Sequence, residues 1–198
     1  MFPTGEELRR GLAAVVPLFS YNDSGLGLLG RDGRTALRSF LVMTLTLPPF
    51  AVQLLVLQRD QAMEPLGLHF VLVWLLGYIV AWTLLPLLLI EFGKGKDFAD
   101  RVPHFISAYN WLALPVAYLR FLAEILPLGL GGFLAFLLTM YIFSLEWFLA
   151  RRLLGLSGLG AAALVALAFF LNVLVIVIAT DMTELVPKLG SDLNQERT

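Results

Sequence analysis

Two long stretches without a charged side chain constrain the fold of this 198-residue chain most strongly. Residues 66–90 and residues 158–180 contain no Asp, Glu, Lys or Arg. A helix needs about 20 mostly apolar residues to cross the hydrocarbon core of a bilayer. Both stretches are therefore predicted to be transmembrane helices, and the chain is predicted to be an all-α polytopic membrane helical bundle.

Three further apolar segments are long enough to span the membrane, although they contain prolines or charges. They lie at about residues 39–57, 105–126 and 128–150. Pro48-Pro49 interrupts the first of them, and Pro127 marks the boundary between the other two. The chain is therefore predicted to have five transmembrane helices.

The five spans divide the chain into a cytoplasmic or interfacial segment (1–35), a transmembrane domain (36–180) and a polar carboxyl-terminal tail (181–198). The composition agrees with this class, because only 15% of the residues are charged, against about 25% in soluble domains. The net charge of −1 provides no basic excess for nucleic acid. The absence of cysteine excludes disulfides and thiolate metal sites, and no cofactor is predicted.

The distribution of Lys and Arg predicts the orientation. In a five-span topology ten of these residues share the amino-terminal side and four lie on the other side. Because Lys and Arg accumulate in cytoplasmic loops, the amino terminus is predicted to be cytoplasmic and the carboxyl terminus to lie outside. A four-span topology would place the basic groups on conflicting sides, so the bias favours five spans.

The amino-terminal segment is predicted to form a short amphipathic helix of about 12 residues. Thr4 and Glu7 have the spacing of a capping box, in which the two side chains bind each other's backbone N–H groups. The helix is predicted to end near Pro17. Two interpretations remain open: an interfacial helix that binds lipid or a partner, and a cytoplasmic lid packed on the protein's own bundle.

Three charged residues are predicted at membrane depth, where an ionisable group is a candidate for function. Arg120 and Glu124 are four residues apart on one helical face, which predicts an ion pair near the outer interface or a gate. Glu146 is one turn from Arg151 and Arg152, which predicts a salt bridge at the cytoplasmic interface.

Two amides, Asn110 and Asn172, are also predicted to lie within spans. A buried amide must find hydrogen-bond partners in hydrocarbon. Interhelical hydrogen bonding is the first interpretation, and a position lining a polar cavity is the alternative.

Aromatic and small residues recur at helical spacing on two of the spans. Trp74, Tyr78 and Trp82 are predicted to form either a packing ladder or a groove for lipid or a partner. On the fifth span the small residues recur every fourth position, at Gly158, Ala162 and Ala166. Small residues at this spacing permit close approach of two helices.

Five spans, a cytoplasmic amino-terminal segment and a proline-punctuated bundle over 36–180 resemble the Yip1-domain family. The segments Arg38-Ser39-Phe40 and Ala108-Tyr109-Asn110-Trp111 are similar to uncharacterised proteobacterial inner-membrane proteins. This resemblance implies a bacterial inner-membrane location and a role in membrane organisation or assembly. It implies no enzymatic activity and transfers no functional residue.

The sequence contains no Gly-x-Ser-x-Gly motif, no His-Glu-x-x-His motif and no Asp pair at membrane depth. The first hypothesis is therefore a non-enzymatic accessory subunit or scaffold that contacts lipids and a membrane-protein partner or a second copy of itself. The alternative is a small transporter or channel, whose path would be lined by Asn110, Asn172, Arg120 and Glu124.

Overall fold

The computed structural model describes residues 4–60 and 67–195. It does not describe the side chains of residues 57–60, 128 and 184–195. Every regular element in these ranges is helical, as predicted. The α-helices are α1 Gly5–Phe19, α2 Gly33–Ser39, α3 Leu41–Leu45, α4 Leu47–Asp60, α5 Leu68–Gly93, α6 Val102–Glu124, α7 Leu128–Leu149 and α8 Gly158–Gln195. Two 3₁₀ helices (Asp23–Leu28 and Ala99–Arg101) and a π-helix (Ala150–Leu154) complete the chain order.

Three of these helical segments are long and apolar enough to cross a membrane: α5, α7 with the π-helix that continues it, and α8. A fourth crossing is possible where α2 and α3 are followed by α4 at an angle of 41°. By length and hydropathy the chain is thus an all-helical membrane-embedded protein with three to four spans among the described residues. The predicted count of five is not confirmed.

The predicted first span is broken two residues before the first of its prolines. α3 ends at Leu45 and α4 begins at Leu47, so Pro48 and Pro49 lie in the first turn of α4. A proline is tolerated there because the first N–H groups of a helix have no partner within the helix. The bend therefore lies at Thr46.

Hydroxyl groups from two other helices stabilise this bend. Pro49 has no N–H to donate to the Leu45 carbonyl, and the Tyr118 hydroxyl donates to that carbonyl instead, at 3.0 Å. The Tyr78 hydroxyl donates to the Met43 carbonyl at 2.5 Å and lies 2.6 Å from the Thr46 hydroxyl. In hydrocarbon, carbonyl groups released at a helix break need such partners.

α6 is the central helix, since it contacts α1, α2, α3, α4, α5 and α7. It is helical over most of the predicted third span, yet it is not among the helices that are apolar enough to span by hydropathy. Its buried residues include the polar side chains of His104, Ser107 and Asn110. The contacts with six other helices cover these polar side chains with protein.

Three predicted boundaries differ in the structure. α1 continues through Pro17 to Phe19, because a proline near the end of a helix disrupts few hydrogen bonds. The apolar run 26–29, which is too short to span and is predicted to be an interfacial loop, lies mostly in the 3₁₀ helix Asp23–Leu28. The polar tail is not a separate segment at its start, since α8 runs without a break from Gly158 to Gln195.

Candidate functional site

The amino-terminal helix packs against the central helix of the bundle. The capping box is present: the Glu7 N–H donates to the Thr4 hydroxyl, and the Thr4 N–H donates to the Glu7 carboxylate at 2.6 Å. One face of α1 is buried through Gly11, Ala14 and Leu18. The structure therefore favours the lid interpretation over a helix that lies free in the leaflet.

A polar cavity of about 250 Å³ lies between α1, the segment that leads into α2, and the first half of α6. Its apolar and glycine residues are Leu28, Leu29, Gly30 and Trp111. Its polar residues come from three separate parts of the chain and are Glu7, Arg10, Asp32, Thr35, Arg38, Ser39 and Ser107. We call this space the α1–α6 cavity.

The charged groups of the α1–α6 cavity form local pairs. Arg38 donates to the Glu7 carboxylate at 2.7 Å, and the two side chains are 20% and 27% exposed. Asp32 caps α2, since its carboxylate accepts from the Thr35 N–H at 2.9 Å and from the Thr35 hydroxyl at 2.7 Å. The Arg10 Nε donates to Glu6 at 2.7 Å.

Two buried polar atoms of the cavity residues have no hydrogen-bond partner: Arg38 Nε and the Ser107 hydroxyl. Ser107 is completely buried, with 0% of its surface exposed. An unsatisfied buried polar group costs about 1–3 kcal/mol, so such atoms are rare in folded proteins. Both atoms belong to residues that line the α1–α6 cavity, and two further buried atoms without a partner, Trp74 Nε1 and Asn110 Oδ1, lie on residues outside it.

Asn110 lies one helical turn beyond Ser107 and serves the packing of α6 on α2. Its Nδ2 donates to the Ser39 hydroxyl at 2.8 Å, and that hydroxyl donates to the Ala36 carbonyl at 2.7 Å. Asn110 is 0% exposed and does not line the α1–α6 cavity. This agrees with the interhelical hydrogen bond predicted from the sequence.

The Glu7–Arg38 pair predicts an acid-sensitive attachment of α1. The pKa of Glu7 is held below its ordinary value of 4.5, first by the hydrogen bond from the Thr4 N–H and then by Arg38. A lowered folded-state pKa stabilises the fold above the ordinary pKa, and this stabilisation is lost as the pH falls through the folded-state pKa. Because the pair is partly exposed, we expect a loss of about 1 kcal/mol.

Amide hydrogen exchange of α1, corrected for its intrinsic pH dependence, measures this effect between about pH 6 and about pH 3. Glu7→Gln is the control, because glutamine keeps the capping box but does not titrate. The neighbouring Glu6 stays ionised over this range, since Arg9 and Arg10 lower its pKa to about 2. An equal acid response in Glu7→Gln would contradict the assignment to Glu7.

The predicted salt bridge of Glu146 is wrong. Among the ion pairs of the described residues none joins Glu146 to either neighbouring arginine. Arg152 instead lies 3.5 Å from Asp23, and Arg151 lies over the Trp147 ring at 5.1 Å from its centroid. Glu146 faces Tyr109 of α6 in a small and otherwise apolar cavity. The helix turns Glu146 inward, away from the arginines that follow it.

The predicted pair of Arg120 and Glu124 is also wrong for the part of the chain that the structure describes. Glu124 accepts a hydrogen bond from Gln53 Nε2 of α4 at 3.0 Å, and Arg120 makes no ion pair there. The i, i+4 spacing puts both residues on one face but does not decide which neighbour competes for the carboxylate.

Asn172 does not form the predicted interhelical hydrogen bond through its Nδ2, which donates to the Ala168 carbonyl of the same helix at 2.9 Å. Its side chain is exposed on the surface of the bundle. Together with Asn110, Arg120 and Glu124, it was predicted to line a transport path. Asn110, Glu124 and Asn172 bind different elements, Arg120 is exposed, and none of the four lines the α1–α6 cavity.

The aromatic ladder of α5 is used for packing. Phe50 of α4 stacks on Tyr78 with a centroid distance of 4.3 Å, and Trp82 packs against the buried core. Trp74 is half-buried, and its Nε1 has no partner. The structure therefore favours the packing interpretation for Tyr78 and Trp82, and it adds the hydrogen-bonding role of the Tyr78 hydroxyl.

The small residues of α8 are divided between two faces. Gly158 contacts the bundle, since its carbonyl accepts from Trp147 Nε1 at 3.0 Å. Ala162 and Ala166 are exposed, whereas Ala161 and Ala168 are buried. The predicted stripe is thus mostly on the outside of the bundle.

Sequence reasoning missed the α1–α6 cavity. Arg38 entered only the count of basic residues and the resemblance of the segment Arg38-Ser39-Phe40, and Ser107 was not singled out. The capping box correctly marked Glu7, but its pairing with Arg38 joins residues 31 positions apart. No local pattern reports such a contact, although a serine and an asparagine one turn apart in a span are a weak signal of a polar face.

No protein-family model matches the sequence, and no curated protein or solved structure shows a significant match. The class of protein is therefore assigned from the fold and the site only. It is an all-helical membrane-embedded protein with a polar cavity beneath an amino-terminal lid helix. The resemblance to the Yip1-domain family stays a prediction.

Proposed function

We propose that this chain is a non-enzymatic scaffold or accessory subunit of the bacterial inner membrane. In the proposed topology the bent α2–α4 segment, α5, α6, α7 and α8 make five crossings, with the amino terminus in the cytoplasm. The position of α6 supports this, because its buried polar residues Ser107 and Asn110 line the α1–α6 cavity and bind α2.

The observation that carries the proposal is the outer face of α8. The other side of this helix packs on α5 and α7, whereas Ala162, Ala166, Phe169 and Val173 remain exposed. At 100° per residue these four side chains lie on one face. Two alanines one turn apart let a second helix approach closely, and close packing drives helix association in membranes.

The proposed occupant of this face is a transmembrane helix of another polypeptide. Asn172 lies beside the face. An amide that is exposed to hydrocarbon needs hydrogen-bond partners, and lipid tails cannot supply them. A polar group on an incoming helix would satisfy it. Hydrogen bonds of this kind between membrane helices contribute about 0.6–2 kcal/mol.

A transporter or channel has less support. Its predicted lining residues bind separate neighbours, and Arg120 and Asn172 are exposed on the outside of the bundle. A path across the membrane requires polar groups that face a common space.

We expect native mass spectrometry, after mild-detergent extraction at the natural expression level, to detect a stoichiometric second subunit. Ala162→Leu with Ala166→Leu fills the face, and it is expected to reduce the retained subunit by about tenfold, equivalent to about 1.4 kcal/mol. Ala163→Leu is the matched control, because Ala163 is also exposed but lies 100° around the helix from Ala162.

A site-specific photo-crosslinker at Phe169 tests the same face without disrupting it. The expected product is a crosslink to the subunit seen by mass spectrometry. The proposal would be overturned if the wild-type chain is extracted from the membrane without a second subunit and Phe169 gives no crosslink.

A further inference from the structure

Two residues that line the α1–α6 cavity carry buried hydrogen-bond donors that nothing in the described chain satisfies. Arg38 Nε is a donor only, and it has no partner. The Ser107 hydroxyl is fully buried and also has none. Both groups are matched by an occupant with acceptor oxygens, and a phosphate is the strongest such partner for a guanidinium group.

The same walls also carry negative charge. Glu7 and Asp32 each have both oxygens engaged once, by Thr4 and Arg38 for Glu7 and by Thr35 for Asp32. A carboxylate has about four lone-pair sites, so each can accept from a further donor. An ammonium group, which has three donors and no acceptor, fits this capacity.

The charges of the lining balance. Arg10 and Arg38 are cationic, and Glu7 and Asp32 are anionic. A neutral cavity with separate donors and acceptors favours an occupant that is itself neutral overall but carries both charges. An occupant with a net negative charge would be repelled by the two carboxylates.

The size and place of the cavity indicate a small group at the membrane surface. Its volume of about 250 Å³ is below the range of about 300–1,000 Å³ typical of drug-sized ligands. Trp111 and Leu29 form an apolar part of the wall. The cavity lies at the amino-terminal half of α6, which is the cytoplasmic end in the proposed topology.

We propose that the α1–α6 cavity binds a zwitterionic phosphate–amine headgroup of the phosphoethanolamine kind. Arg38 Nε and the Ser107 hydroxyl have almost no accessible surface, so the side chains that cover them shift as the headgroup enters. The phosphate oxygens then accept from these two groups, and the ammonium group donates to Glu7 and Asp32. The headgroup comes from a phospholipid or from a free phosphodiester of ethanolamine, and both present the same neutral, doubly charged group to the cavity. This site is separate from the helix-contact face of α8.

The test uses the full chain, delipidated in detergent and titrated with phosphatidylethanolamine, with phosphatidylglycerol, and with soluble glycerophosphoethanolamine, a phosphodiester that is neutral overall like the lipid headgroup. Native mass spectrometry counts the bound molecules. We expect the ethanolamine lipid to bind more tightly than the glycerol lipid. Binding of glycerophosphoethanolamine as tight as that of the lipid would identify a free phosphodiester as the source, whereas much weaker binding would identify the lipid.

Ser107→Ala tests the phosphate half of the site. The hydroxyl has no protein partner, so its removal leaves the melting temperature unchanged or slightly raised. Affinity for phosphatidylethanolamine is expected to fall about tenfold, the worth of one hydrogen bond to a charged group. Ser20→Ala is the control, because Ser20 is exposed and lies outside the cavity.

Glu7→Gln tests the amine half. It keeps the shape of the capping residue but changes the net charge of the four charged lining residues from zero to +1. The preference is expected to move toward phosphatidylglycerol. Equal binding of the two lipids by the wild-type chain, no binding of any of the three probes, or unchanged affinity in Ser107→Ala would overturn the proposal.

Discussion

Gly131→Ala is expected to destabilise the α6–α7 hairpin by about 2–3 kcal/mol, at the upper end of the range for inserting a methyl group into a packed site. A Cβ atom at this position would be closer than van der Waals contact to the Ala123 carbonyl oxygen and 3.2 Å from the Leu126 carbonyl oxygen. Both are backbone atoms, so no side-chain rotation relieves the overlap. The two helices would have to separate.

Gly132→Ala is the matched control for this prediction. A Cβ atom there meets no heavy atom within 4 Å, and alanine is about 1 kcal/mol more favourable than glycine in a helix interior. Thermal unfolding in detergent, followed by circular dichroism, compares the two variants with the wild type. A lower melting temperature for Gly131→Ala alone supports the close approach, and equal melting temperatures would refute it.

Gly11→Ala is expected to displace the lid helix from the bundle. The added Cβ atom would overlap the indole ring of Trp111, which is only 5% exposed and therefore has little room to move. We expect the attachment of α1 to weaken by about 1–3 kcal/mol. Gly5→Ala in the same helix is the control, since no heavy atom lies within 4 Å of its Cβ position.

A single cysteine reports this displacement, because the natural chain contains none. Leu18 is 1% exposed, so Leu18→Cys places a thiol under the docked helix. Maleimide labelling in detergent is expected to be slow in this background and in its Gly5→Ala derivative, and faster in the Gly11→Ala derivative. Equal labelling rates in all three would show that α1 does not depend on Gly11 for its position.

Local features of the sequence predicted the helices well. Two uncharged runs predicted α5 and the membrane part of α8, and the pair Thr4 and Glu7 predicted the start of α1. These features act over a few residues, through backbone hydrogen bonding and transfer into hydrocarbon. The predicted number of crossings is not confirmed, because α6 carries buried polar residues and is not among the helices that are apolar enough to span.

Side-chain pairing was predicted poorly for the same reason. Helical spacing placed Arg120 near Glu124, but the Glu124 carboxylate accepts a hydrogen bond from Gln53 of another helix. The spacing also placed Glu146 near arginines on its own helix, whereas the structure turns it toward Tyr109. Periodicity gives the face of a residue and not the identity of the element that covers that face.

The sequence by itself determined that this chain is helical and membrane-embedded, because hydropathy and helix capping depend on neighbouring residues only. The tertiary structure alone decided which polar groups are satisfied. Arg38 and Ser107 are 69 residues apart in the sequence, and they line one cavity because α1 and α2 both pack on α6. Such a site arises from long-range packing, which no local pattern encodes.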